Sequence, residues 1–174
     1  DAVIPKVIAR FGRLDALINN ASSFSPTPIG KTADAQWEDL LDANARAPFF
    51  LSQAAAPHLK AQRGCIVNIA DIYGMAPKPQ HTVYCMAKAA LLMMTKSLAL
   101  ELAPDVRVNA IAPGAILWPE TGMTDTGKNA VIQATPLARS GNIDDICQTA
   151  LYLIEQAKFS TGQTIAVDGG RLLR

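Results

Sequence analysis

The sequence predicts an α/β fold, a doubly wound parallel sheet of the Rossmann type within a single domain spanning residues 1–174. Three observations carry that expectation. Short apolar segments alternate with amphipathic ones along the whole chain, and polar loops rich in Pro and Gly follow most of the apolar segments. A hydrophobic content of 49% against 18% charged residues is ample for one buried core.

Val3, Ile4, Val7, Ile8 and Phe11 recur at helical spacing, so the opening segment buries one face until Gly12 ends it. Residues 14–19 then read as a short parallel strand covered on both faces, and residues 22–32 as a polar loop. From Ala35 to about Gln62 the pattern is helical, with Pro48 predicting a kink or break near Asn44. Residues 64–69 form the next strand, residues 70–79 a loop, and residues 81–103 a long helix stopped by Pro104. A strand at 106–111, a loop holding Pro113, Gly114 and Pro119, a helix at 143–155 and a final strand at 164–167 complete the order. In such sheets ligands bind outside the carboxyl ends of the strands.

Sixteen basic and 15 acidic residues leave a net charge of +1 without a run of one sign, which gives no support for nucleic-acid or anionic-membrane binding. No apolar run approaches the roughly 18 residues of a membrane span, and the opening segment has no signal-peptide pattern. Cys65, Cys85 and Cys147 are odd in number and widely spaced, so reduced thiols in a cytoplasmic protein are expected, with no metal site.

Tyr84 and Lys88 lie one turn apart on the predicted helix and share a face. An ammonium beside a phenol favours the phenolate, so the pair is expected to lower the tyrosine pKa and tune an acid/base. A different segment, Gly122 to Asn129, imitates a phosphate-binding loop. Asn129 replaces the required hydroxyl residue and no strand leads into it, so a mobile loop covering the substrate is the expectation there.

The segments D-A-L-I-N-N-A-S, D-A-N-A-R-A-P, G-C-I-V-N-I, Y-C-M-A-K-A-A, V-R-V-N-A-I-A-P-G and V-D-G-G follow one another in an order that resembles the short-chain dehydrogenase/reductase family. The resemblance implies that Asn20, Ala21 and Ser22 lie along a nicotinamide dinucleotide and that Asn44 holds a relay water. It implies Tyr84 as the catalytic acid, Lys88 as the ligand of the nicotinamide ribose, and Pro113 and Gly114 beside the nicotinamide. Bland readings stay open: Asn20 as a turn residue, Asn44 as a helix interruption, Gly169 and Gly170 as turn glycines.

Most of the family has a serine 13 positions before the tyrosine, where this chain has Asp71. An ionised carboxylate only accepts hydrogen bonds and repels a developing alkoxide, so a different substrate is implied. Asp71, with N-N-A-S-S-F-S-P-T-P, resembles the pteridine reductases. That resemblance implies a pterin substrate, Asp71 and Tyr84 as proton donors, Phe24 stacking the pterin, NADPH as cofactor, and a homotetramer. Ile116 departs from the serine those reductases commonly carry. Asp71 as a turn cap and Phe24 as loop packing remain alternatives, as do a carbonyl or 3-oxoacyl reductase and a non-catalytic scaffold.

The family's opening glycine-rich turn has no match among the 11 glycines, so the chain reads as the C-terminal two-thirds of the fold. Two βαβ units, on the order of 70 to 90 residues, are expected upstream. Apolar residues on more than one face of the long helices, including Phe49, Phe50, Leu91, Met93 and Met94, predict self-association.

Overall fold

The computed structural model describes residues 3–118 and 124–174. Four parallel strands, β1 (Ala16–Asn19), β2 (Cys65–Ile69), β3 (Arg107–Pro113) and β4 (Thr164–Val167), lie side by side in chain order. Helix α1 (Val3–Phe11) precedes the sheet and ends where expected: Gly12 takes φ +75° and its N–H donates to the Ile8 carbonyl at 2.8 Å. Between β1 and β2 run α2 (Asp34–Leu41), a π-helical turn (Asp42–Arg46) and α3 (Ala47–Gln62). The interruption predicted near Asn44 is that π turn, and Pro48 follows it directly as the second residue of α3.

Helix α4 (Thr82–Leu102) joins β2 to β3, and α5 (Asp125–Gln133) and α6 (Ile143–Glu155) lie between β3 and β4. The helices cover both faces because the strands alternate. Ile66 and Val108 face a core built with α1, α3 and α4, while Val67 and Ile111 face Leu153 of α6 on the other side. All three crossovers step the same way across the sheet. The one carrying α6 uses the opposite face, so its hand is opposite to that of the α4 crossover.

Three expectations change. Residues 125–133 form a helix, capped by Thr124 Oγ1 accepting from the Gly127 N–H at 3.2 Å, so the covering loop does not extend through them. Residues 119–123, the start of that segment, lie outside the described residues. Helix α4 is 21 residues long with a mean hydropathy of 1.3 in its best window, long and apolar enough to cross a membrane, against the expectation that no segment would be. Its composition has an internal cause: α4 is packed on the sheet on one side and on the π turn and α2 on another.

Leu91 is also reassigned. It is buried between α4 and the sheet with Ala110, so it is not part of an associating surface, whereas Phe49, Phe50 and Met93 are exposed.

A buried polar chain crosses this core. The Asn19 amide donates to Asn68 Oδ1 at 2.7 Å, and the Asn68 amide donates to Thr95 Oγ1 at 2.9 Å, which ties the carboxyl ends of β1 and β2 to α4. At the opposite edge Arg107 donates to the carbonyls of Leu153, Ile154 and Ala157 at 2.7 to 3.0 Å, closing the C-terminal end of α6. Replacing Arg107 by Met is expected to lower stability by about 2 kcal/mol, read as a shifted urea midpoint with an unchanged m-value.

Candidate active site

The site grows from the carboxyl edge of the sheet. Where β2 ends, Asp71 caps a single 3-10 turn (Ile72–Gly74): its Oδ1 accepts from the Tyr73 N–H at 2.8 Å. Its other oxygen, Oδ2, accepts from the Tyr84 hydroxyl at 2.8 Å. The aspartate is therefore a turn cap and a partner of the tyrosine at once. Gly74 lets the turn reach α4, since a Cβ there would stand 2.9 Å from the Lys88 carbonyl.

Tyr84 and Lys88 are both buried on α4. The Lys88 ammonium donates to the Ile69 carbonyl at 3.1 Å and lies 5.7 Å from the Tyr84 ring centroid. Burial pushes its pKa down to about 8, with Asp71 opposing. Among the described residues that one bond leaves two of the ammonium's three donors unspent.

The expected lowering of the Tyr84 pKa is overturned. Burial pushes the phenol up, and the carboxylate of Asp71 pushes it further, because both oppose a phenolate. Asp71 is also raised, chiefly by burial, against the hydrogen bonds from Tyr73 and Tyr84 and the fields of Lys88 and Lys78. The tyrosine is thus a held phenol that donates to the carboxyl group.

Phe24 reaches the same point from the loop after β1. Thr27 pins this loop to the start of α4: its N–H donates to the Gln80 carbonyl at 2.6 Å and its Oγ1 accepts from the Val83 N–H at 3.3 Å. The Phe24 ring stacks on His81 and meets Tyr84 edge-on, each at 4.7 Å between centroids, while half of its surface stays exposed.

Asn20, Ala21 and Ser22 form an exposed turn just beyond β1. The Ser22 hydroxyl donates to Asn44 Oδ1 at 2.6 Å, and the Asn44 amide donates to the carbonyls of Leu40 and Ser23. The Asn44 side chain is spent on closing the π turn and holding this loop. Pro113 ends β3, and Gly114 passes so close to β4 that a Cβ would stand 2.7 Å from Asp168 Cα.

The structure thus brings together Phe24, Asp71, Tyr84 and Lys88, with the 20–22 turn and the Pro113–Gly114 step along the same sheet edge. Sequence reasoning did not find Tyr73, Lys78 and Arg171. The Lys78 ammonium lies 4.8 Å from the Tyr73 ring centroid, and Arg171 donates to the Tyr73 hydroxyl at 3.4 Å. Arg171 is 98 positions from Tyr73, so no local pattern could have joined them.

If catalysis needs Lys88 charged, kcat/KM falls as pH rises through about 8, where this buried ammonium loses its proton. A profile from pH 6 to 10 reads the break, and a flat profile up to pH 9.5 would contradict it.

The site thus sets a buried tyrosine–lysine pair on α4 at the carboxyl edge of a parallel sheet, beside Asp71. The family profile described as enoyl-(acyl carrier protein) reductase matches residues 1–171. The 3-oxoacyl-[acyl-carrier-protein] reductase of Staphylococcus aureus is 38% identical over 173 residues, covering 97% of this chain and 70% of that protein. The cyclopentanol dehydrogenase of Comamonas testosteroni is 34% identical over 173 residues, covering 96% of this chain and 69% of its own length. The crystal structure of acetoin dehydrogenase from Enterobacter cloacae superposes with a TM-score of 0.87 at 38% identity, covering 98% of this chain and 69% of that one.

The chain belongs to the short-chain dehydrogenase/reductase family. It is an oxidoreductase of that family, whose cofactor is a nicotinamide dinucleotide, NAD(H) or NADP(H). The expected nearness to pteridine reductases is not what these relatives show: their names speak for carbonyl and alcohol substrates.

Proposed function

We propose that the protein reduces a dihydropterin, of the dihydrobiopterin or dihydromonapterin type, with NADPH as the reductant. The hydrogen bond from Tyr84 to Asp71 carries this reading. An acid pair at this point can protonate a ring nitrogen, and the carboxyl group keeps lone pairs for the N–H and amino donors that a pterin presents and a simple ketone lacks. Phe24 adds an aromatic surface half open beside the pair.

The residues present fit a nicotinamide cofactor: Lys88 keeps two donors for ribose hydroxyls that no described residue takes, and the 20–22 segment is exposed. The cofactor, when bound, supplies the hydride that adds to the carbon of the C=N bond. Tyr84 gives its phenolic proton to the nitrogen, and Asp71, held protonated to higher pH by burial, restores it. In this reading Asn20, Ala21, Ser22, Tyr84, Lys88, Pro113 and Gly114 hold the cofactor, and Phe24, Asp71 and Tyr84 hold the substrate.

A second reading is reduction of a 3-oxoacyl thioester or a small ketone, and the names of the relatives support it better than they support pterin reduction. NADPH oxidation measured side by side with a dihydropterin and with an acetoacetyl thioester decides between them. Faster turnover of the thioester would overturn the pterin reading. Repeating the assay with NADH tests the choice of NADPH.

The exposed Phe49, Phe50 and Met93 on α3 and α4 support a homotetramer, in which these helices pair. Light scattering of the intact protein at micromolar concentration is expected to give a tetrameric mass; a monomer would contradict it.

A further inference from the structure

Two cations stand beside the acid pair and donate no hydrogen bond to it. Tyr73, the second residue after Asp71, holds both: the Lys78 ammonium lies 4.8 Å from its ring centroid and the Arg171 guanidinium donates to its hydroxyl at 3.4 Å. Both side chains are half-buried, and neither forms an ion pair with a carboxylate among the described residues. Asp71 has Oδ1 on the Tyr73 N–H and Oδ2 on the Tyr84 hydroxyl, and the Asp168 carboxylate is taken by backbone N–H groups.

Arg171 is not a loose terminal side chain. The Asp168 carboxylate accepts from the N–H groups of Gly170 and Leu172 at 2.8 Å each, and Gly169 and Gly170 take φ +64° and +86°, which only glycine adopts without strain. This folds the chain after β4 back over the sheet edge, bringing Arg171 to Tyr73. The glycine pair that read as plain turn residues therefore positions a cation at the mouth of the site.

We infer that Lys78 and Arg171, anchored on Tyr73, are specificity-determining residues that bind an oxyanion of the substrate, a carboxylate or phosphate lying beyond the group being reduced. A guanidinium and an ammonium that share one aromatic anchor and lack carboxylate partners suit such a group, the guanidinium by its paired N–H fork and the ammonium as a point charge. The inference rests on the oxidoreductase site and holds for either substrate class of the preceding section.

Two substrate pairs that differ in the anionic group test it. Dihydrofolate, with its glutamate carboxylates, is compared with dihydrobiopterin, and acetoacetyl-CoA, with its phosphates, with the N-acetylcysteamine thioester. Lys78→Gln and Arg171→Gln are each expected to lower the ratio of kcat/KM for the charged member over the uncharged one by about 10-fold, carried by KM. Lys78→Arg should restore most of the ratio. The ratio also cancels any change that Lys78 imposes on Asp71, because that acts on both members alike. A ratio unchanged within twofold in both Gln variants would overturn the rim. Turnover of the thioester pair alone overturns the pterin reading while still reading the rim, and turnover of neither pair overturns both.

Discussion

Tyr84→Phe lowers kcat by about 10²- to 10⁴-fold, the range of a lost general acid. The substitution keeps the ring that packs edge-on against Phe24 and removes only the hydroxyl that donates to Asp71. The burial that raises the phenol's pKa makes it a proton donor over the whole working range, so no pH restores the variant. Single-turnover kinetics with saturating cofactor check this, and a loss below tenfold would remove Tyr84 from the chemistry.

Asp71→Asn is the second large effect, about 10²- to 10⁴-fold in kcat on a dihydropterin. Asparagine keeps an oxygen for the Tyr73 N–H, and it is as good a cap as aspartate, so stability should hold within about 1 kcal/mol. The carboxyl proton is what disappears. In the native site the Tyr84 hydroxyl donates to Asp71 near Lys88, so their macroscopic pKa values belong to the set. A near-normal kcat would leave Asp71 as a cap alone.

Much of this arrangement was legible in the sequence because its causes are local. The alternation of short apolar runs with helical periods gave the order of β1, β2, β3 and β4, and Pro48 marked the π turn that buries Asn44. Strand boundaries drifted by one or two residues: β1 begins at Ala16 rather than at 14, and β3 runs on to Pro113. Helix α5 escaped because Gly127 interrupts it and none of its residues is buried, so it carries no apolar stripe to read.

The candidate site was half legible. Spacing along one helix brings Tyr84 and Lys88 together, and the pattern of motifs added Asp71 and Phe24. Spacing could not give the sign of the tyrosine shift, which burial and Asp71 decide while the Lys88 ammonium is turned to the Ile69 carbonyl. The dual role of Asp71 was posed in the sequence as two alternatives; the two carboxylate oxygens satisfy both. The meeting of Lys78 and Arg171 on Tyr73 depends on the turn after β4 and had no local signal.

The central claim is that Asp71 and Tyr84 act as one proton-donating unit, and a double-mutant cycle on kcat tests it most directly. Residues that act as a unit are strongly non-additive. The account predicts that Tyr84→Phe combined with Asp71→Asn loses little more than the more damaging single substitution, measured with a dihydropterin at saturating NADPH. Losses that multiply across the two substitutions would contradict it.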